Sequence, residues 1–177
     1  MTVAYPVTLD REMLESEVRA VYAKVAENPQ GDFHFHRGPE YAARLLGYDL
    51  AELNSLPRKA TASFAGVGNP FLMDPLPAGA AVVDIGSGAG MDCLLAASRV
   101  GAAGSVVGID MTDLPLASNS VDVVISNGVI NLAPDKEAVF NALYRVVKPG
   151  GRLQFADIII GTELSEDARN NIDLWTG

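Results

Sequence analysis

The chain has 177 residues, 49% of them hydrophobic, which is enough for one domain with a substantial core. Its 13 basic and 22 acidic residues give a formal net charge of −9 at pH 7. Because this charge repels phosphate backbones and anionic lipid, and no basic stripe offsets it, we expect neither nucleic acid nor a membrane surface as a partner.

The number of cysteines and the N-terminal sequence indicate the cellular compartment in which the protein is expected. Cys93 is the only cysteine, so no internal disulfide and no all-thiolate metal site can form. Residues 1–6 lack the charged and apolar regions of a secretory leader, and no apolar run reaches the roughly 18 residues of a membrane-spanning helix. We therefore expect a soluble protein of the reducing cytoplasm.

Residues 1–75 predict an N-terminal helical cap, and residues 76–177 predict the core of the fold. Thr8 or Asp10 is a suitable N-cap for a first helix, which ends at the Asn-Pro-Gln-Gly sequence of residues 28–31. The apolar residues of this helix share one face and predict a docked lid: Met13, Leu14, Val18, Val21, Tyr22 and Val25. Short helices are predicted over 40–46 and 49–53, followed by a turn at 66–70.

Two histidines alternate with phenylalanines at residues 33–36. In an extended segment His34 and His36 share one face, but two histidines without a third ligand make a weak metal site. We therefore predict a structural or cap-lining role for this pair and no metal.

From residue 80 the pattern changes to the alternating strands and helices of a parallel, doubly wound sheet. Strands are predicted at 82–85, 105–110, 121–126 and 153–160, and helices at 91–100 and 134–147. The Lys-Pro-Gly-Gly sequence at 148–151 is predicted to end the second helix. We number these four strands 1, 2, 4 and 5 in chain order, because number 3 is kept for a strand that we expect to be missing. Right-handed crossovers place them in the sheet in the order 2-1-4-5.

The connection between Asp110 and Val121 is short for that topology. Only ten residues link two parallel strands that lie on opposite sides of the first strand, where a crossover normally takes a dozen or more residues and a helix. Ten extended residues span at most about 33–36 Å, enough to make the step but not to cover the sheet. We therefore expect an incomplete domain that lacks a helix and a strand here, and whose last predicted helix covers 167–175.

The loop after the first strand is the strongest functional signal. It contains Gly86, Ser87, Gly88 and Gly90, and the strand before it carries Asp84. Glycines permit a tight turn, positive φ angles and a close approach to a ligand, while the next helix offers unpaired N–H groups. Asp110, twenty-four residues after Gly86, ends the next strand and suits the two hydroxyls of a ribose. The sequence thus predicts a nucleotide-type cofactor site.

The glycine spacing resembles motif I of the S-adenosylmethionine (SAM) methyltransferases rather than the G-x-G-x-x-G of dinucleotide-binding folds. Several segments resemble the arsenite methyltransferases in particular: residues 84–90, 108–112, 120–132, 134–136, 148–153 and 173–177. The sequence Asp-Met-Thr at 110–112 and the sequence Ser-Asn-Gly-Val-Ile-Asn-Leu at 126–132 carry most of this likeness, which runs from about residue 45 to the end. The resemblance implies an α/β fold, a Rossmann-like class I SAM methyltransferase sheet with helices on both faces.

The resemblance also implies a set of SAM-binding residues and a small-molecule methyl acceptor. The glycine loop would lie beneath the methionine part of SAM, with Asp84 holding the loop or reaching the amino group. Asp110 would accept hydrogen bonds from the ribose hydroxyls, and Met111 would pack on the adenine. Asn127, at the end of a strand, is predicted to touch the cofactor or substrate, or else to be a plain turn residue. We nominate no catalytic acid or base, because methyl transfer from a sulfonium depends mainly on in-line approach in a dry pocket.

Departures from the family pattern leave several functions open. The family binds trivalent arsenic through cysteine thiolates, and two of the matching positions hold Val67 and Gly128, which cannot ligate it. The candidates are therefore a methyltransferase of the arsenite methyltransferase type, a methyltransferase for an organic acceptor, as in quinone biosynthesis, or a catalytically silent protein that binds SAM or S-adenosylhomocysteine (SAH). A nicotinamide-dependent oxidoreductase is the remaining alternative, disfavoured by the glycine spacing and by the lack of a Tyr-x-x-x-Lys arrangement. Cys93 is predicted to be a packing residue that faces the sheet.

Overall fold

The fold is a four-stranded parallel sheet with helices on both faces. The structure, a computed structural model, describes residues 11–29, 31–33, 35–109, 114–133, 135–159, 161 and 165. Its helices are α1 (Arg11–Glu27), α2 (Pro39–Leu46), α3 (Leu50–Ser55), α4 (Arg58–Ala62), α5 (Met91–Val100) and α6 (Lys136–Val146). Its strands are β1 (Ala81–Ile85), β2 (Ser105–Ile109), β3 (Val121–Asn127) and β4 (Val147–Ala156). The order β2-β1-β3-β4 is the predicted one, and it defines a Rossmann-like sheet.

Strand β1 is central and buried on both faces, as its nearly continuous apolar sequence requires. Val82 packs with residues of α5 on one face of the sheet. Val83 and Ile85 pack with residues of α6 on the other face. Because side chains alternate along a strand, Asp84 lies on the α5 face, beside the start of that helix.

The short connection to β3 covers part of the sheet face that we expected to be bare. Leu114 packs into the cluster on the α6 face, with Leu116 against it. The Arg145 guanidinium of α6 donates hydrogen bonds to the carbonyls of both residues, which ties the segment to the helix. Strand β2 is nevertheless an edge strand with much of its surface open, and the Val107 side chain is 46% exposed.

The junction between α6 and β4 differs from the prediction. Helix α6 ends one residue earlier than expected, and β4 runs from 147 to 156 rather than from 153 to 160. Val147 already pairs with Val121, and pairing resumes between Val123 and Arg152, so residues 148–151 bulge out within the strand. The ion pair of Lys148 with Asp122 helps to hold this bulge at the sheet.

The cap helices pack against α5. Asp49 is the N-cap of α3, and its carboxylate accepts hydrogen bonds from two backbone N–H groups. Residues of α2, α3 and the segments after them form one core cluster with α5: Ala42, Tyr48, Leu53, Phe64, Met91 and Leu95. Helix α4 was not predicted from the sequence. Over the residues described, no helix has both the length and the apolar character needed to cross a membrane.

Helix α1 confirms the first predicted helix but buries only part of the predicted face. Val25 is fully buried, whereas Met13 is 55% exposed, so the expectation of a buried Met13 is wrong. Tyr22, in the second half of this helix, stacks on Phe35 in the segment that follows it. The predicted N-caps, the side chain of Leu14 and the predicted helix at 167–175 lie outside the described residues.

Candidate cofactor-binding site

The glycine loop joins β1 to α5 in the conformation that its sequence predicted. Gly86, Gly88 and Gly90 all have positive φ, at 70°, 51° and 87°. A Cβ atom at Gly86 would lie 2.4 Å from Cγ2 of Val129, in the segment after β3. Only glycine therefore allows this close approach, and the loop is packed directly against the end of the neighbouring strand.

The loop forms one wall of a cavity of about 90 Å³. Four predicted site residues in or next to the loop line it, Asp84, Gly86, Ser87 and Gly88, together with Asn127. Gly90 is not among the lining residues but caps α5 beside them. Asp110 and Met111 lie outside the described residues. The described walls enclose less space than the roughly 300–1,000 Å³ of a pocket that surrounds a whole cofactor-sized ligand.

Two buried carboxyl groups line the same cavity. Asp84 is 2% exposed and Asp92 is 5% exposed. Burial and, second, the nearby Asp92 carboxylate together raise the pKa of Asp84 to about 7. Burial also raises the pKa of Asp92 to about 6, although hydrogen bonds from Asn127 and Tyr48 favour its ionised form. Such a pair is suited to a cation, which would stabilise both carboxylates.

Cys93 faces the sheet from α5, as predicted. Its thiol donates a hydrogen bond of 3.3 Å from Sγ to Oδ2 of Asp84. Burial and the Asp84 carboxylate raise the pKa of the thiol, so it remains neutral at physiological pH. The thiol helps to hold Asp84, and it is not placed as a nucleophile.

Asn127 ends β3 at the centre of a polar network that the sequence did not reveal. Its Oδ1 accepts hydrogen bonds from the backbone N–H groups of Val67 and Gly68, at 2.8 and 3.0 Å. Its Nδ2 donates to the Gly68 carbonyl, the Tyr48 hydroxyl and the Asp92 carboxylate. Tyr48 and Asp92 were missed because they are 79 and 35 residues from Asn127 and share no motif with it. A possible signal was an acid in the first turn of the helix that follows a glycine loop.

Val67 and Gly128, which the sequence resemblance predicted to stand where arsenite methyltransferases carry arsenic-binding cysteines, are in contact. Cγ1 of Val67 lies 3.1 Å from the position that a Cβ atom at Gly128 would occupy. Gly128 has a φ of 73°, and its N–H donates to the Ala156 carbonyl at the end of β4. Gly128 lines the cavity together with Gly66 and Val129, and Val67 lies next to Gly128, so this end of the site is formed by small and apolar groups.

Helix α1 contributes an aromatic side chain to the cavity wall, and the lid role predicted for this helix stays a prediction. Tyr22 lines the cavity and stacks on Phe35 at a centroid distance of 6.2 Å. His36 stacks on Tyr41 at 5.3 Å, which fits the predicted cap-lining role, and His34 lies outside the described residues. In the part of the chain that the structure describes, no three His, Cys, Asp or Glu residues are grouped to hold a metal ion.

Comparisons with known proteins agree with this architecture. Residues 99–155 match the family model described as a methyltransferase domain. The arsenite methyltransferase of Halobacterium salinarum is 38% identical over 75% of this chain and 40% of its own length. That of Aquipseudomonas alcaligenes is 35% identical over 70% of this chain and 45% of its own length. The solved arsenic(III) SAM methyltransferase CrArsM of Chlamydomonas reinhardtii is 33% identical, with a TM-score of 0.58 over 67% of this chain and 51% of that chain.

The parallel sheet, the glycine loop and these matches define the class: the chain has the Rossmann-like fold of the class I SAM-dependent methyltransferases. S-adenosyl-L-methionine is the cofactor that this class implies. Within the class, the chain is arsenite methyltransferase-like in sequence and structure. It spans less than half the length of the two curated relatives described above.

Proposed function

We propose that this chain binds SAM and takes part in transfer of its methyl group to a small molecule. The observation that carries the proposal is the loop between Asp84 and α5, whose glycines have positive φ angles, with two buried carboxyl groups in the cavity beside it. Residues 1–75 would form the cap over the acceptor, and residues 76–177 the SAM-binding core.

The described residues fit the methionine end of SAM. Gly86, Ser87, Gly88 and Gly90 present a surface without bulky side chains, and a Cβ atom at Gly88 would meet nothing within 4 Å. Asp84 would receive the α-ammonium group, whose charge compensates for the burial of the carboxylate. Asp110 and Met111 are proposed for the ribose and the adenine. When bound, SAM supplies a methyl group on a sulfonium, while the chain orients the reactants and excludes water.

Two acceptor classes are supported by different observations. Arsenite is the first candidate, because the relatives are named arsenite methyltransferases. An organic acceptor is the second, because Val67 and Gly128 form an apolar contact where thiolates would stand. Among the described residues the one free cysteine is Cys93, and it bonds Asp84 rather than lining this end.

Calorimetry with SAH, followed by methyl-transfer assays with arsenite and with a small organic thiol, tests the proposal. We expect SAH to bind and at least one acceptor to be methylated. Binding without turnover would indicate a silent SAH-binding protein, and failure to bind SAH would contradict the proposal. Titration with NADH is the control, since binding of NADH instead would favour an oxidoreductase.

The location and partners of the protein are proposed on charge and cysteine content. The net charge of −9 and the single cysteine favour the cytoplasm, with a small-molecule acceptor and without nucleic acid as a partner. Fractionation of the native protein, with nuclease-treated and untreated extracts compared, tests this assignment.

Introducing two thiols is expected to create an arsenite site. Because Val67 and Gly128 meet, the double variant V67C/G128C places two sulfur atoms close enough to share one arsenic atom. We expect it to bind arsenite at least about tenfold more tightly than wild type, a difference of ~1.4 kcal/mol, measured by calorimetry under reducing conditions.

Each single variant is the control and should bind arsenite no more tightly than wild type. The positive φ of residue 128 makes cysteine there cost about 1–2 kcal/mol, so the stability of all variants must be measured alongside. Equal arsenite affinity of the double and single variants would show that the two positions do not form one acceptor site.

A further inference from the structure

We propose that Asn127 is a positioning residue that clamps the acceptor loop, residues 66–68, to the end of β3. These hydrogen bonds fix the position of the Val67 side chain relative to the glycine loop. The inference rests on the proposed function and deepens it, because it separates residues that touch SAM from a residue that places the acceptor. It assigns Asn127 a positioning role on the acceptor side, whereas the sequence left open direct contact with the cofactor or substrate and a plain turn role.

The hydrogen bonds of Asn127 are all made within the protein. Two backbone N–H groups point to Oδ1, which identifies that atom as the carbonyl oxygen, since an amide NH₂ cannot accept them. Nδ2 has three acceptors between 2.8 and 3.1 Å. With both lone pairs and both N–H groups used, the side chain has no hydrogen bond left for a cofactor, so it acts through the loop.

The acceptor loop is in close contact with the C-terminal ends of β3 and β4. A Cβ atom at Gly66 would be 2.5 Å from Cγ of Asn127, and one at Gly68 would be 2.4 Å from Cβ of Ala156. The loop therefore cannot move closer to the sheet, and the Asn127 amide prevents it from moving away. Val67, which contacts Gly128, is the only side chain that the loop presents.

The same amide reaches the helix that follows the glycine loop. Asp92, near the start of α5, accepts hydrogen bonds from Asn127 and from the buried hydroxyl of Tyr48. One side chain thus connects the acceptor loop, the cap and the helix next to the cofactor loop. Because methyl transfer needs an in-line approach, a displacement of about 1 Å is enough to cost roughly 10²-fold in rate.

The test compares N127A with N69A. Asn69 is the matched control: it follows the same loop and makes hydrogen bonds to Phe71 and Gly47, but none of them reaches β3. For N127A we expect amide hydrogen exchange at 66–68 to rise at least about tenfold, and kcat/KM to fall roughly 10²-fold. SAH affinity should stay within about threefold of wild type. None of these quantities should change in N69A. For the kcat/KM measurement, the methyl acceptor is the probe that the wild-type protein methylates, either arsenite or the organic thiol.

Two further measurements keep the inference open to failure. In wild type, the N–H groups of Val67 and Gly68 should be as protected as those of β3, a result that needs no variant to fold. Y48F should leave exchange at the loop unchanged, because Asn127 keeps its bonds to the loop. A loss of SAH affinity in N127A with no change in loop exchange would overturn the inference and make Asn127 a cofactor ligand. If wild type neither binds SAH nor transfers methyl groups, the proposed function fails, while the exchange data still decide whether the clamp exists.

Discussion

Replacing Gly86 with alanine is expected to weaken SAH binding at least about tenfold and to destabilise the fold. The new Cβ atom would lie 2.4 and 2.6 Å from the two methyl groups of Val129, at a φ of 70°. Overpacking costs about 1–3 kcal/mol, and the left-handed backbone costs an alanine about 1–2 kcal/mol more. Relief of the clash must move either Val129 or the loop, so SAH affinity should fall at least about tenfold.

Gly101→Ala is a matched control for Gly86→Ala. Gly101 has the same φ of 70°, but a Cβ atom there would meet nothing within 4 Å. At its φ of 70° and ψ of −173°, which only glycine adopts readily, this variant should show a backbone cost of about 1–3 kcal/mol with unchanged SAH affinity. Urea unfolding and calorimetry on both variants give the comparison. If G86A binds SAH as tightly as wild type, the glycine loop is not the cofactor cradle.

The affinity for SAH is expected to rise with pH through the titration of Asp84. In the free protein burial holds the pKa of this carboxyl at about 7, so below that pH it must lose a proton before it can pair with an ammonium group. We expect affinity to increase by up to about tenfold per pH unit between pH 6 and 7, and to level off above pH 7. In D84N this slope should be lost and the affinity at pH 8 should be low.

Asp135→Asn is the control for the pH profile of SAH binding. Asp135 is an exposed N-cap of α6 that lies outside the cavity, so D135N should keep the wild-type profile. Calorimetry from pH 5.5 to pH 8 measures all three proteins. A wild-type profile that is flat from pH 6 to pH 7 would remove Asp84 from the binding site.

The same raised pKa predicts the pH dependence of folding. A carboxyl whose pKa is higher in the folded than in the unfolded state stabilises the fold most at low pH. This contribution is fully present below about pH 4 and is lost as the pH rises through 7. D84N should therefore gain stability relative to wild type between pH 4 and pH 8, on the order of 4 kcal/mol, measured by urea unfolding. A difference that does not change with pH would contradict the assignment.

Much of the sheet was predictable because its signals are local. The apolar run of β1, the glycine spacing and the strand pattern of β3 each define an element within a few residues. The bulge at 148–151 was not predictable, because Lys-Pro-Gly-Gly favours a turn by itself. The pairing of Val147 with Val121 and the ion pair of Lys148 with Asp122 keep the segment in the strand.

The candidate site was predictable only in part. Asp84, the glycine loop and Asn127 converge as expected, because the carboxyl ends of adjacent parallel strands meet at one edge. The roles predicted for Asp110 and Met111 stay predictions. Of the partners of Asn127, only Asp92 had a signal in the sequence, as an acid in the first turn of the helix after the glycine loop. The others come from the cap and the 66–68 loop and had none.

The sequence by itself determined the core of the sheet: the positions of β1, β2 and β3, the order of the strands, and the glycine loop between β1 and α5. These follow from apolar periodicity and from backbone conformations that only glycine adopts readily. The tertiary structure alone decided that Val67 contacts Gly128 and that Asn127 holds the 66–68 loop by hydrogen bonds. The reason is that contacts across 60 residues depend on how the cap packs on the sheet, which no local pattern encodes.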